Sequence, residues 1–121
     1  MEPKTDLRER SFDFAVRIIK LCSFIQNNHH SIRVIANQLM RSGTSVGAHI
    51  EEAKGAQSRA DFLAKYHISL KEARETHYWI RFLLATDLIP QKRLHPILTE
   101  CQETIKILVA SLITAKKTKS K

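Results

Sequence analysis

Six histidines and twelve carboxylates are enough donors, by number, to build a metal centre or an acid–base pair inside a protein. Their spacing does not support one. No Glu-x-x-His pair at i, i+3 occurs, the arrangement that projects two ligands from one helix face toward a di-iron centre. H-E-x-x-H, which would set two imidazoles over a zinc ion, is also absent. His29-His30 falls in a polar break and reads as solvated, whereas His77 falls at an apolar-face position without companions and reads as a hydrogen-bonded core histidine. The stretch Arg41 to Ala53, R-S-G-T-S-V-G-A-H-I-E-E-A, raises a different chemistry, because two glycines four residues apart can cradle a phosphate on exposed backbone N–H groups. A phosphate loop needs G-x-x-x-x-G-K-[ST] after a strand. Here Gly47 is followed by Ala48 and His49, and no strand precedes it. No catalytic, cofactor-binding or metal-ligating residue is therefore assigned, and the chain reads as a non-enzyme without a cofactor.

Charge is the second chemical resource. Twenty Lys and Arg against twelve Asp and Glu give a net charge of +8 and a pI near 9.8, an excess that favours polyanionic partners. Cationic candidates for phosphate contact are Arg8, Arg10, Arg17 and Lys20 on the first helical segment, Arg41 and Arg81 elsewhere, and Lys116, Lys117 and Lys119 in the tail K-K-T-K-S-K. That basic tail, residues 116–121, is expected to fray. No RNP, helix-turn-helix or zinc-finger pattern appears, so any such binding would run through phosphates with little sequence preference.

The elements that must carry these residues are helices. Three glycines and three prolines in 121 residues leave room for few turns. Ile32, Ala36, Leu39, Gly43, Val46, Ile50 and Ala53 recur at alternating steps of four and three, which is the seam of an amphipathic helix. Leu63, Tyr66, Leu70, Ala73, His77, Ile80 and Leu84 repeat the pattern. So do Leu94, Leu98, Cys101, Ile105, Leu108, Leu112 and Ala115, and Phe14, Ile18, Leu21 and Ile25 supply a shorter version. Breaks fall at Asn27–Ser31, Gly55–Ser58 and Asp87–Pro90; Ser58 with Asp61 resembles a capping box, and Gly55 suits a helix C-terminus. The spacing predicts helices over about 11–27, 31–55, 59–87 and 91–117. Short connections make neighbours antiparallel, so the fold is all-α: an up-down-up-down four-helix bundle, a single domain over residues 1–121. Pro96 is expected to kink the fourth helix or to mark its true start. The N-terminus lacks an apolar signal region, and no run of about 18 apolar residues is present. A cytoplasmic, membrane-free setting follows as an expectation, with Cys22 and Cys101 as buried reduced thiols.

Gly43 and Gly47 remain to be explained, since each costs about 0.5–1 kcal/mol relative to Ala inside a helix. Both lie on the packed side of their helix. Small residues there let a neighbouring backbone approach, and the added dispersion contact offsets the penalty. The glycines therefore mark a tight helix crossing.

At these residues the sequence resembles a known family. R-S-G-T-S-V-G-A-H-I-E-E-A-K-G-A-Q-S-R-A-D-F, with L-K-E-A-R-E-T-H-Y-W-I-R-F-L after it, is similar to the bacterial four helix bundle protein family. That family is also called the 23S ribosomal RNA intervening-sequence protein family, and it is related to the accessory variability protein of diversity-generating retroelements. The resemblance covers about residues 10–115. It implies an antiparallel four-helix bundle assembled as a ring-like homopentamer and, from the retroelement relative, a basic surface for nucleic acid and a reverse transcriptase partner. Two departures are His49, where many members have Asn, and Pro96.

Apolar residues also exceed what one bundle uses. Phe12, Ala15, Ile19 and Cys22 form a second stripe on the first helix, and Ile68 and Phe82 lie opposite the seam of the third, with Trp79 at its flank. A second apolar face points to self-association. Lys71, Glu72, Arg74 and Glu75 share that third helix. Lys71 and Glu75 stand at i, i+4, Glu51 and Glu52 are partners within reach of Lys71 or Arg74, and across a subunit contact the four charges would set register. Two functional classes stay open: a non-catalytic nucleic-acid-binding oligomer, and a structural or adaptor oligomer that acts through a protein partner.

Overall fold

Asp6 opens the first helix, its carboxylate accepting the Arg8 backbone N–H at 3.1 Å, an N-cap bond that satisfies one of the free donors of the first turn. The computed structural model describes the backbone of residues 6–120 and the side chains of residues 6–117. Four helices follow: α1 (Leu7–Asn28), α2 (Arg33–Lys54), α3 (Arg59–Thr86) and α4 (Gln91–Ser120), with a single 3₁₀ turn, His30–Ile32, between the first two. No strand occurs among the described residues.

The boundaries depart from the apolar pattern where polar chemistry decides them. α1 starts at Leu7, not near residue 11, because Asp6 caps it. Ser58 caps α3 by accepting the Asp61 N–H at 3.0 Å, and the Asp61 carboxylate returns to the Gln57 N–H rather than to that of Ser58. α4 begins at Gln91 and passes through Pro96 in its second turn without ending there. The proline removes only the bond that its own N–H would give the Lys92 carbonyl. The same helix continues to Ser120, so the backbone of the basic tail is helical up to that residue.

Cross-helix contacts fix the directions. Along α1, Ser11 faces Gly47 and Ile18 faces Gly43 of α2, and Cys22 Sγ donates to the Ala36 carbonyl at 3.2 Å. As α1 advances α2 retreats, so the pair is antiparallel. Ser69 and Thr76 of α3 meet Val46 and Ser42 of α2 in the same sense. Cys101 of α4 donates to Ala73 of α3 at 3.3 Å, and the Arg59 guanidinium reaches the Ala115 carbonyl. Arg10 of α1 clasps Glu100 of α4 in a two-pronged ion pair at 2.9 and 3.0 Å. Each helix packs on the next and α4 returns, more lightly, to α1, while among the described residues α1–α3 and α2–α4 make no close backbone approach. The result is the four-helix, up-down-up-down bundle.

Phe14, Ile18, Leu21 and Ile25 are buried as their spacing requires, and on α2 six of the seven seam residues are buried while Ile32 is half-buried. On α3 the seam is rotated by about one residue. Ser69, Ala73, Thr76, Ile80 and Leu83 form the buried line, while Leu63, Tyr66, Leu70, His77 and Leu84 are half-buried. Two hydroxyls explain the shift. Ser69 Oγ donates to the Val46 carbonyl at 2.8 Å, and the Thr76 hydroxyl donates to Glu72 O at 2.8 Å and lies 2.9 Å from Ser42 Oγ. Small polar side chains thus bond directly across the α2–α3 contact, where larger apolar ones would hold the helices apart. Cys22, assigned by spacing to an outer stripe, belongs to the core. Burial pushes both thiols up to about 12.

Candidate functional site

The lightest of the helix interfaces, α1 against α4, leaves a groove of about 280 Å³ whose floor is Leu21, Pro96 and Ile97. Its rim is cationic on both sides. Arg17 and Lys20 stand on α1, and Lys92 and Arg93 stand on the first turn of α4. None of the four has a carboxylate within ion-pair distance among the described residues. Arg93 instead lays its guanidinium 3.8 Å above the Phe24 ring of α1, a cation–π contact that fixes its position and leaves its charge uncompensated.

The first turn of α4 is an electrostatic anomaly. A helix N-terminus carries a partial positive charge that normally recruits Asp or Glu, yet this turn holds no acidic residue and two cations. A local rule broken in this way concentrates positive potential at one end of the groove, and such departures cluster at functional positions. Arg17 and Lys20 were among the residues expected from sequence to meet phosphate. Lys92 and Arg93 were missed.

The remaining cationic candidates sort by their partners. Arg8 bonds Asp6 and lies 3.8 Å from Glu51, and Arg10 is held by Glu100. Arg41 spans from α2 to two carboxylates of α3, Glu72 at 3.2 Å and Glu75. These three are neutralised within the chain, so they do not join the groove. Arg81 is exposed on α3 beside Tyr78 and Phe82. Lys116 and Lys117 are exposed near the end of α4, and the side chain of Lys119 lies outside the described residues.

The α3 cluster is rearranged in the same way. Glu72 and Glu75 turn toward α2 and bind Arg41; they bind neither Lys71 nor Arg74. Glu51 approaches Arg8 rather than α3. Trp79 is half-buried and donates its indole N–H to Glu75 at 3.0 Å. Lys71, Arg74, Ile68 and Phe82 remain exposed. On α1, Phe12, Val16 and Ile19 are 68%, 40% and 43% exposed, and a second, apolar groove of about 460 Å³ runs beside Phe12, Ala15, Thr44, Gly47 and Ala48.

Gly47 faces the backbone of α1, whereas Gly43 faces the Ile18 side chain. A methyl group on Gly43 would stand 2.9 Å from Ile18, and one on Gly47 would stand 3.2 Å from the Ser11 carbonyl oxygen. His49 Nδ1 bonds its own helix at the Ser45 carbonyl, 2.9 Å away. His77 is half-buried, 3.5 Å from Gln102, with its pKa lowered by burial and by Arg81. Among the described residues no three His, Cys, Asp or Glu side chains converge on one point, and no helix is long and apolar enough to cross a membrane.

A crystal structure at 1.70 Å resolution of a protein of unknown function, from the S23 ribosomal protein family of Bacteroides thetaiotaomicron VPI-5482, matches this fold with a TM-score of 0.84. The two chains are 42% identical, and the match covers 88% of this chain and 98% of that one. No curated protein matches this chain at a significant level. The family model described as 23S rRNA-intervening sequence protein matches residues 4–110. With nearly the whole bundle spanned by that match, the chain belongs to the 23S rRNA-intervening sequence protein family.

Proposed function

We propose that this protein is a non-catalytic, self-associating nucleic-acid-binding protein that engages phosphates in the α1–α4 groove. The observation that carries the reading is the convergence of Arg17, Lys20, Lys92 and Arg93 from two helices, with no carboxylate among them. Four such charges release counterions when they meet a phosphate backbone, which is the sequence-independent part of nucleic-acid affinity. The family name links the group to ribosomal RNA genes and supports RNA as the first polymer to try. Self-association through the exposed α1 face, with five copies as the resemblance implies, would repeat the groove around one assembly and multiply its affinity.

The test is a titration of labelled RNA and labelled duplex DNA at 50 and 200 mM salt, with the Arg17→Glu/Lys20→Glu variant beside the native chain. If six to ten phosphates are neutralised per assembly, affinity falls about 10³–10⁵-fold between the two concentrations, and the variant binds more weakly at both. Absence of binding at 50 mM salt, or binding indifferent to salt, overturns the reading in favour of an adaptor that works through a protein partner.

A further inference from the structure

We infer that the outer face of α3 is a platform for unpaired bases, so that the ligand class of this protein is single-stranded nucleic acid. The inference rests on the phosphate-binding reading above and adds a second surface to it. Directly opposite the buried line of α3, Lys71, Arg74, Tyr78, Arg81 and Phe82 follow one another along the helix, all exposed. At 1.5 Å per residue this stripe runs about 16 Å, and along it two cations are followed by a ring, a cation and a ring. Lys71, Arg74 and Arg81 have no carboxylate within ion-pair distance among the described residues.

Why the face lacks a counter-charge is visible in the fold. The two acids of this stretch, Glu72 and Glu75, are drawn to the α2 side by Arg41. Arg74 and Arg81 are left outward without them, and Lys71 keeps only a longer-range attraction to Glu75. The aromatic rings are held from behind by the same network: Glu75 anchors the Trp79 indole, and Trp79 meets Tyr78 edge-on at 4.9 Å and Phe82 edge-on at 5.9 Å between ring centroids. Tyr78 is nonetheless 51% exposed and Phe82 39%. Their rings lie 6.3 Å apart, tilted, over a shallow cleft of about 220 Å³ that Arg81 and Ala85 complete. Every base has a π-face, so such rings hold bases without regard to sequence, while flanking cations follow the backbone. A duplex keeps its bases stacked on each other and offers these rings nothing.

The experiment compares a 12-nucleotide labelled oligouridine with a duplex of equal length at 50 mM salt, for the native chain, Tyr78→Ala/Phe82→Ala, and Tyr78→Phe. Stacking predicts a loss of about 5- to 150-fold per base on the single strand, duplex affinity unchanged within about twofold, and near-native binding by Tyr78→Phe. Lys71→Ala/Arg74→Ala/Arg81→Ala should lower the salt slope for the single strand by about 2, at roughly 0.7 per lost phosphate contact. If the native chain binds neither probe, the phosphate reading fails and this one with it. Where both probes bind and the alanine variant holds the single strand as tightly as the native chain does, only the base platform is overturned. A drop to a smaller species in sedimentation for Tyr78→Ala/Phe82→Ala overturns it too, since the face is then a contact between copies.

Discussion

Gly47 lies so close to Ser11 that a methyl group at position 47 would sit 3.1 Å from the serine hydroxyl and 3.2 Å from its carbonyl oxygen. The obstruction includes backbone, which cannot rotate aside. Gly47→Leu is therefore expected to destabilise the bundle by about 1–3 kcal/mol, the usual scale for overpacking. Gly55 is the internal control: a methyl there meets nothing nearer than the Glu52 carbonyl at 3.9 Å, and its φ of −97° suits any residue. Gly55→Ala should leave the melting temperature unchanged or raise it slightly, by about 0.4–1 kcal/mol of stability.

Ser69 predicts an effect opposite to hydrophobic intuition. It is fully buried and donates to the Val46 carbonyl, so Ser69→Ala should cost about 0.5–1.5 kcal/mol. Ser69→Leu adds apolar surface to a buried position, yet it should cost more, because the α2–α3 approach has no room for it. Denaturant midpoints for the two variants give the order directly.

The Arg41 guanidinium, followed by the Trp79 indole N–H, holds the Glu75 carboxyl below its ordinary value of 4.5. A depressed carboxylate contributes stability that is present above its unfolded pKa and disappears as pH falls through the folded one. Native chain and Glu75→Gln should therefore differ at pH 6, by less than about 1 kcal/mol because Arg41 is half exposed. That gap should narrow as pH falls below the ordinary carboxylate value and close once the solution is more acidic than the depressed folded-state pKa. A gap independent of pH would place the effect in packing rather than in charge.

Self-association is expected to use α1. Phe12, Val16 and Ile19 recur at steps of four and three on its outer side, the spacing of a helix–helix seam. Phe12→Asp/Ile19→Asp should shift sedimentation at micromolar concentration from an assembly to single chains and leave helicity intact. A native chain that sediments as a monomer would refute the assembly itself.

Periodicity revealed the helices because each has to bury a stripe of its own, and that constraint is written at spacings of three and four. It located the buried line well on α2 and on the inner side of α1. On α3 it erred by about one residue, because Ser69 and Thr76 fill positions where apolar residues are assumed; on α4 Leu94, Cys101, Leu108 and Leu112 are buried, and Ile97 and Thr104 take the places expected of Leu98 and Ile105. Gly43 and Gly47 were legible because their penalty demands a compensating contact. The groove was only half legible. Lys92 and Arg93 lie more than seventy residues from Arg17 and Lys20, and only the closure of the bundle unites them, although two cations in an acid-free first turn were a readable signal. Pairing across the bundle was not legible either: Glu100 and the Glu72–Glu75 pair reach Arg10 and Arg41 only from other helices, whereas Arg8 pairs first with Asp6, two residues away.

The light α1–α4 interface also orders events in time. Three of the four helix contacts join consecutive helices through short connections and form early, as local contacts do. The fourth joins the two ends of the chain and bears the greatest loop-closure entropy, so it is expected to zip last and to unzip first. A polyanion that bridges Arg17 and Lys20 to Lys92 and Arg93 ties those ends together. Amide hydrogen exchange along α1 and the first half of α4 should slow when RNA is added, beyond the slowing in α2, because the ligand closes the part of the fold that opens at the lowest free energy.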